Sequence, residues 1–175
     1  MTASLPVLGF AAWSGTGKTT LLRGLIPALQ ARGMRVAVIK HAHHDFDIDK
    51  PGKDSYELRK AGADQVLVAS SRRWALVTEV RPEREPVLED LVGRLDAESC
   101  DLILVEGFRH LAFPKIELHR PSLGRPLLFP EDPSIIAVAA DAPLGRETAL
   151  PRLDLNDIDA IAEFVRAWRE KNRQV

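Results

Sequence analysis

The chain of 175 residues carries 24 Lys and Arg against 25 Asp and Glu, for a formal net charge of −1, and 45% of it is hydrophobic. That composition predicts a single globular domain over 1–175 with a true core, and the charge balance lacks the basic footprint of a nucleic-acid binder or of a protein drawn to acidic membranes. The only cysteine, Cys100, excludes an internal disulfide and a thiolate zinc site, which suits a reducing cytoplasm.

The first apolar run, 5–12, contains Pro6 and falls well short of the roughly 20 residues that span a bilayer. Without a charged leader or a cleavage site, it predicts neither a membrane helix nor a signal peptide. It leads into Ala12-Trp13-Ser14-Gly15-Thr16-Gly17-Lys18-Thr19-Thr20. This is the phosphate-loop pattern with Ala12 in place of the first glycine, where small size suffices. Gly15 and Gly17 permit the positive φ or close approach that lets backbone N–H groups wrap a phosphate, and the helix that follows turns its positive end to the anion. Ser14, Gly15, Thr16, Gly17, Lys18, Thr19 and Thr20 are therefore the expected nucleotide contacts. Lys18 is expected on the β and γ oxygens, and Thr19 on Mg²⁺.

Leu22, Leu25, Ile26 and Leu29 recur at helical spacing before Gly33, a helix stop, while Pro27 predicts a kink. Further apolar runs at 35–40, 65–69, 74–78, 102–106, 115–118 and 135–139 alternate with helical segments. The pattern predicts an α/β fold: a mostly parallel, twisted sheet of the P-loop NTPase type flanked by helices on both faces. Ligands of such sheets sit outside the carboxyl ends of the strands, so the polar residue that ends each run is informative. Glu106 ends the run 102–106, where P-loop proteins place a carboxylate for Mg²⁺ and its water. Asp141 follows 135–139, where it could accept from the N1–H and 2-amino groups of guanine or simply cap a loop.

After the second run, the segment 40–55 holds His41, His43 and His44 with Asp45, Asp47, Asp49 and Asp54. Two uses are open: a switch in which Asp47 or Asp49 touches Mg²⁺ or water and Asp54 caps a helix, or a metal site on the histidines. No residue is a certain catalyst; Asp47, Asp49 and Glu106 are the candidates. Arg72 and Arg73 read as a phosphate or partner contact or as a solvated basic turn. Lys115, Glu117 and His119 share one strand face, either a binding surface or an edge strand protected by charge. The stretch 120–133 reads as a long surface loop, and Asn156 as the N-cap of a final helix that presents Ile158, Ile161, Ala162, Val165 and Trp168.

The phosphate loop through Leu21, Ile39-Lys40-His41-Ala42-His43-His44-Asp45, Asp49-Lys50-Pro51-Gly52-Lys53-Asp54-Ser55 and Leu104-Val105-Glu106-Gly107-Phe108, in that order, resemble the molybdopterin-guanine dinucleotide biosynthesis adaptor family, MobB. The resemblance implies a cytoplasmic homodimer that binds GTP and Mg²⁺ with slow intrinsic hydrolysis. It also implies a place beside the molybdopterin guanylyltransferase of MobA type, and beside molybdopterin-loading proteins. Over the matching positions it gives the phosphates to 15–20, Mg²⁺ to Thr19 and Glu106, and a switch or pterin-facing role to 41–54. A P-loop small-molecule kinase and a nucleotide-gated metal chaperone are the alternatives.

Overall fold

The computed structural model describes residues 5–42 and 46–172, which gather into two compact units. The larger holds the described residues up to His41 and from Leu88 onward; the smaller holds those between 42 and 87.

In the larger unit the strands are β1 (Val7–Ala11), β2 (Val36–Lys40), β5 (Leu102–Glu106), β6 (Lys115–His119), β7 (Ile135–Ala140) and β8 (Arg152–Asp154). They form one sheet in the order β2-β5-β1-β6-β7-β8, and every pair is parallel. Helices α1 (Lys18–Ala31) and α4 (Ile158–Lys171) pack on one face, where Leu8, Phe10, Leu102, Leu104, Ile116 and Leu118 meet Leu25, Leu29, Ile161 and Val165. On the other face Ile39, Ile103 and Val105 meet Leu88 of the short helix α3 (Leu88–Val92). Successive residues of β5 thus enter opposite cores, which is why that run is apolar without alternation. Each fully buried aliphatic side chain contributes on the order of 1.5–3 kcal/mol.

Helix α1 continues through Pro27 and ends where the N–H of Gly33 donates to Gln30 O (2.9 Å) and that of Met34 to Leu29 O (3.1 Å). This paired closure is a Schellman motif, and Met34 and Leu29 supply its apolar contact in the core. The cap of α4 is Asp157, whose Oδ1 accepts from Ala160 N at 2.9 Å; Asn156 stands one residue outside. β8 escapes a reading by pattern because it is three residues long with polar ends.

Arg35 donates to both carboxylate oxygens of Asp101 at 3.1 Å, with its own N–H on Oδ2 at 2.9 Å, which ties the start of β2 to that of β5. These bonds hold the Asp101 carboxyl down at about 2, against 3.8 for an unperturbed Asp. A depressed carboxylate stabilises the fold above its unfolded value and ceases to do so as pH falls through the folded one. Acid titration of wild type against Asp101→Asn should therefore show the wild-type advantage in full above about pH 4 and gone near pH 2.

The smaller unit holds α2 (Asp54–Lys60) and an antiparallel hairpin, β3 (Gln65–Ala69) with β4 (Trp74–Thr78). The runs 65–69 and 74–78 are therefore not part of the parallel sheet: four residues separate them, enough for a hairpin turn but too few for a parallel crossover. Asp54 is the first residue of α2 and Lys53 its N-cap, so Asp54 serves the helix dipole rather than a cap bond. Arg72 and Arg73 form the hairpin turn, where their N–H groups donate to Ser70 Oγ.

Candidate functional site

The phosphate loop lies between the carboxyl end of β1 and the N-terminus of α1, at the centre of the sheet. Gly15 (φ 82°) and Gly17 (φ 102°) adopt the left-handed conformation expected of them. Thr16 is buried; its Oγ donates to Trp13 O at 2.8 Å and its carbonyl accepts from Arg120 Nε at 2.9 Å. Lys18 Nζ donates to Ala12 O at 3.2 Å. Burial pushes the Lys18 amine down from its ordinary pKa; Glu106 opposes this, and Arg109 and Lys40 add to it.

Parallel register sets Glu106 of β5 against both Phe10 of β1 and Lys40 of β2. Thr19 Oγ1 donates to Glu106 Oε1 at 3.2 Å, and Lys40 Nζ stands 3.9 Å from Oε2. The sequence-predicted pair Thr19 and Glu106 is thus assembled. Hydroxyl and carboxylate point to one place, as a hard divalent cation between phosphate and protein oxygens requires.

Immediately after Glu106 the chain turns through Gly107 (φ 107°) and Phe108 (φ 51°), and Phe108 stacks on His41 with ring centroids 4.4 Å apart. A Cβ on Gly107 would lie 2.5 Å from His41 Cβ. Gly107→Ala should therefore cost about 2 kcal/mol through strain and overlap, read as a lower denaturation midpoint, and loosen the Thr19–Glu106 pair with it.

Three site residues have partners that a sequence reading does not reveal, because those partners are remote. Arg120 pairs with Asp141 Oδ2 at 2.5 Å while holding Thr16 O, so one oxygen of the expected guanine reader is already engaged. Glu117, fully buried, accepts from the N–H groups of Leu128 and Phe129, both at 2.8 Å. Lys115, equally buried, pairs with Asp132 at 2.8 Å. The edge-strand reading of Lys115, Glu117 and His119 is corrected: β6 lies between β1 and β7, and its polar face carries the inner side of the segment 120–133. That segment is a surface loop, as expected, but one anchored on this face of the sheet, and it includes a 3₁₀ turn at Pro121–Leu123.

The remaining candidates belong to the smaller unit. Asp47 pairs with Arg59, and Asp49 Oδ1 accepts from Ser55 Oγ at 2.8 Å. His43, His44 and Asp45 lie outside the described residues. Among the described residues no group of three or more His, Cys, Asp or Glu side chains could hold a metal ion.

Residues 7–141 match the family model of molybdopterin guanine dinucleotide synthesis protein B, MobB. The chain belongs to the MobB family. It is 58% identical over 168 residues to the molybdopterin-guanine dinucleotide biosynthesis adapter protein of Escherichia coli (strain K12), covering 95% of each chain. To the adapter protein of Haemophilus influenzae (strain ATCC 51907 / DSM 11121 / KW20 / Rd) it is 46% identical, over 96% of this chain and 92% of the other. A solved molybdopterin-guanine biosynthesis protein B superposes with a TM-score of 0.74 at 27% identity, over 94% of this chain and 99% of that one. The resemblance read from the ordered motifs is borne out, and so is the fold expected of it. As a MobB protein, the chain is a P-loop nucleotide-binding protein.

Proposed function

We propose that this chain is the adaptor of molybdopterin guanine dinucleotide formation, carrying GTP and Mg²⁺ on the phosphate loop with at most slow hydrolysis. The observation that carries the nucleotide reading is the bond from Thr19 to Glu106 beside Lys18. On this reading the N–H groups of 14–20 cradle the phosphates and Lys18 turns from the Ala12 carbonyl to the β and γ oxygens. Thr19 and Glu106 would hold Mg²⁺, which when bound neutralises charge between the two phosphates. Asp141 would read guanine with Oδ1, the oxygen that Arg120 does not take. Asp47 and Asp49 are proposed as the water-facing groups of a switch, and the two units act as one nucleotide-binding domain, since the family model runs through both.

The partners on this reading are a molybdopterin guanylyltransferase of MobA type, molybdopterin-loading proteins and a second copy of the chain, in the cytoplasm. No helix among the described residues is long and apolar enough to cross a membrane, and the near-neutral charge argues against nucleic acid. The smaller unit favours self-association: Leu67, Val68, Trp74 and Leu76 of its hairpin are 60%, 48%, 67% and 43% exposed. A two-stranded hairpin is marginal by itself and exposes such residues at a cost unless covered. Trp74→Asp should shift the chain from dimer to monomer by light scattering.

The decisive experiment is guanylylation of molybdopterin by the purified transferase, with and without this protein, with GTP and ATP titrated in parallel. Stimulation together with preferential GTP binding is expected. Preference for ATP with an unchanged guanylylation rate overturns the proposal.

A further inference from the structure

Arg109 has no part in the roles described so far. Its guanidinium lies over the Trp13 ring of the phosphate loop, 4.9 Å from the ring centroid, and Arg125 approaches the same ring at 5.8 Å. Trp13 is itself fixed, its indole N–H donating to Pro126 O at 2.8 Å. The carboxylates of this region are committed elsewhere: Glu106 to Lys40, Asp132 to Lys115 and Asp141 to Arg120. Among the described residues Arg109 makes no ion pair, although it is only partly exposed.

Its backbone, by contrast, is held. Gly107 and Phe108, both at positive φ, turn the chain just beyond Glu106, and Leu111 N closes the turn on Phe108 O at 3.0 Å. From beneath, Lys115 Nζ donates to Arg109 O at 3.1 Å and to Leu111 O at 2.5 Å. The result is a cation on a fixed stem three residues from the Mg²⁺ candidate Glu106, resting on an aromatic face. A stacked arginine binds its ring more weakly than a bidentate anion, and phosphate is such an anion.

We propose that Arg109 is an arginine supplied in cis to the γ-phosphate of the bound triphosphate, with Trp13 as the platform on which it rests when that phosphate is absent. The inference rests on the reading of the phosphate loop given above and deepens it: the site distinguishes triphosphate from diphosphate through Arg109.

Calorimetric titration of GTP and GDP, each with Mg²⁺, into wild type, Arg109→Ala, Arg109→Lys and Lys18→Ala tests it. Arg109→Ala should weaken GTP about tenfold or more and leave GDP within about twofold, with Arg109→Lys between, because an ammonium cannot bind bidentately. Equal losses for both nucleotides, or none, overturn the role of Arg109. Lys18→Ala binding GTP as wild type does would instead overturn the phosphate-loop reading, so the two failures are distinct. If Arg109→Ala abolishes binding of inorganic phosphate to the GDP-loaded protein while GTP affinity is unchanged, the arginine serves a second anion and the proposal falls. In a chain carrying Trp74→Phe and Trp168→Phe, GTP but not GDP should shift Trp13 emission; the same shift persisting in Arg109→Ala also overturns it.

Discussion

Lys18→Ala is expected to weaken GTP binding about a hundredfold or more in calorimetric titration, with the folded structure intact by circular dichroism. The reason is local charge. Lys18 is the amine that opens α1, and the loop around it contributes N–H dipoles but no other full positive charge. Burial already lowers its pKa, so the protonated form is held at a cost that a triphosphate would offset. Its bond to Ala12 O, at 3.2 Å, is replaceable by water when the side chain is shortened, which keeps the fold largely indifferent to the change. Unchanged affinity for GTP would mean that the loop does not hold the phosphates.

The phosphate loop and the β5 carboxylate were legible because each is a local pattern. Gly15, Gly17 and Lys18 have their meaning at fixed spacing, and Glu106 closes an apolar run. The parallel sheet was legible for the same reason, since strands buried on both faces are continuously apolar. The position of β6 was not, because Lys115 and Glu117 imitate the polar face of an edge. Only Asp132 and the N–H groups of Leu128 and Phe129, brought back by the return of the segment 120–133, make it possible to bury them. Arg120 is hidden likewise: its partners are Thr16, far back along the chain, and Asp141 beyond the next strand. The hairpin was mistaken for sheet strands because its apolar residues, exposed in the isolated chain, have the composition of a core.

The pair of Lys115 and Asp132 yields the second large effect, and its asymmetry is what matters. The Lys115 side chain is 1% exposed and that of Asp132 24%. Asp132→Asn leaves an ammonium in the interior with two carbonyls but no counter-charge, and should destabilise the fold by about 3–5 kcal/mol. Lys115→Met removes the buried charge with similar volume and leaves a carboxylate that water can reach; it should cost about 1–2 kcal/mol, chiefly for the carbonyls of Arg109 and Leu111 that lose their donor. Placing both changes together should recover much of the loss seen with Asp132→Asn, because no charge is then stranded. Urea midpoints at constant slope measure all three. Equal costs for the two single variants would show that Lys115 is solvated in the folded chain. The expected inequality would show instead that β6 keeps a lysine inside for one reason: a single ammonium can bind the Arg109 turn, the Leu111 carbonyl and Asp132 at once, which no apolar residue of its size can do.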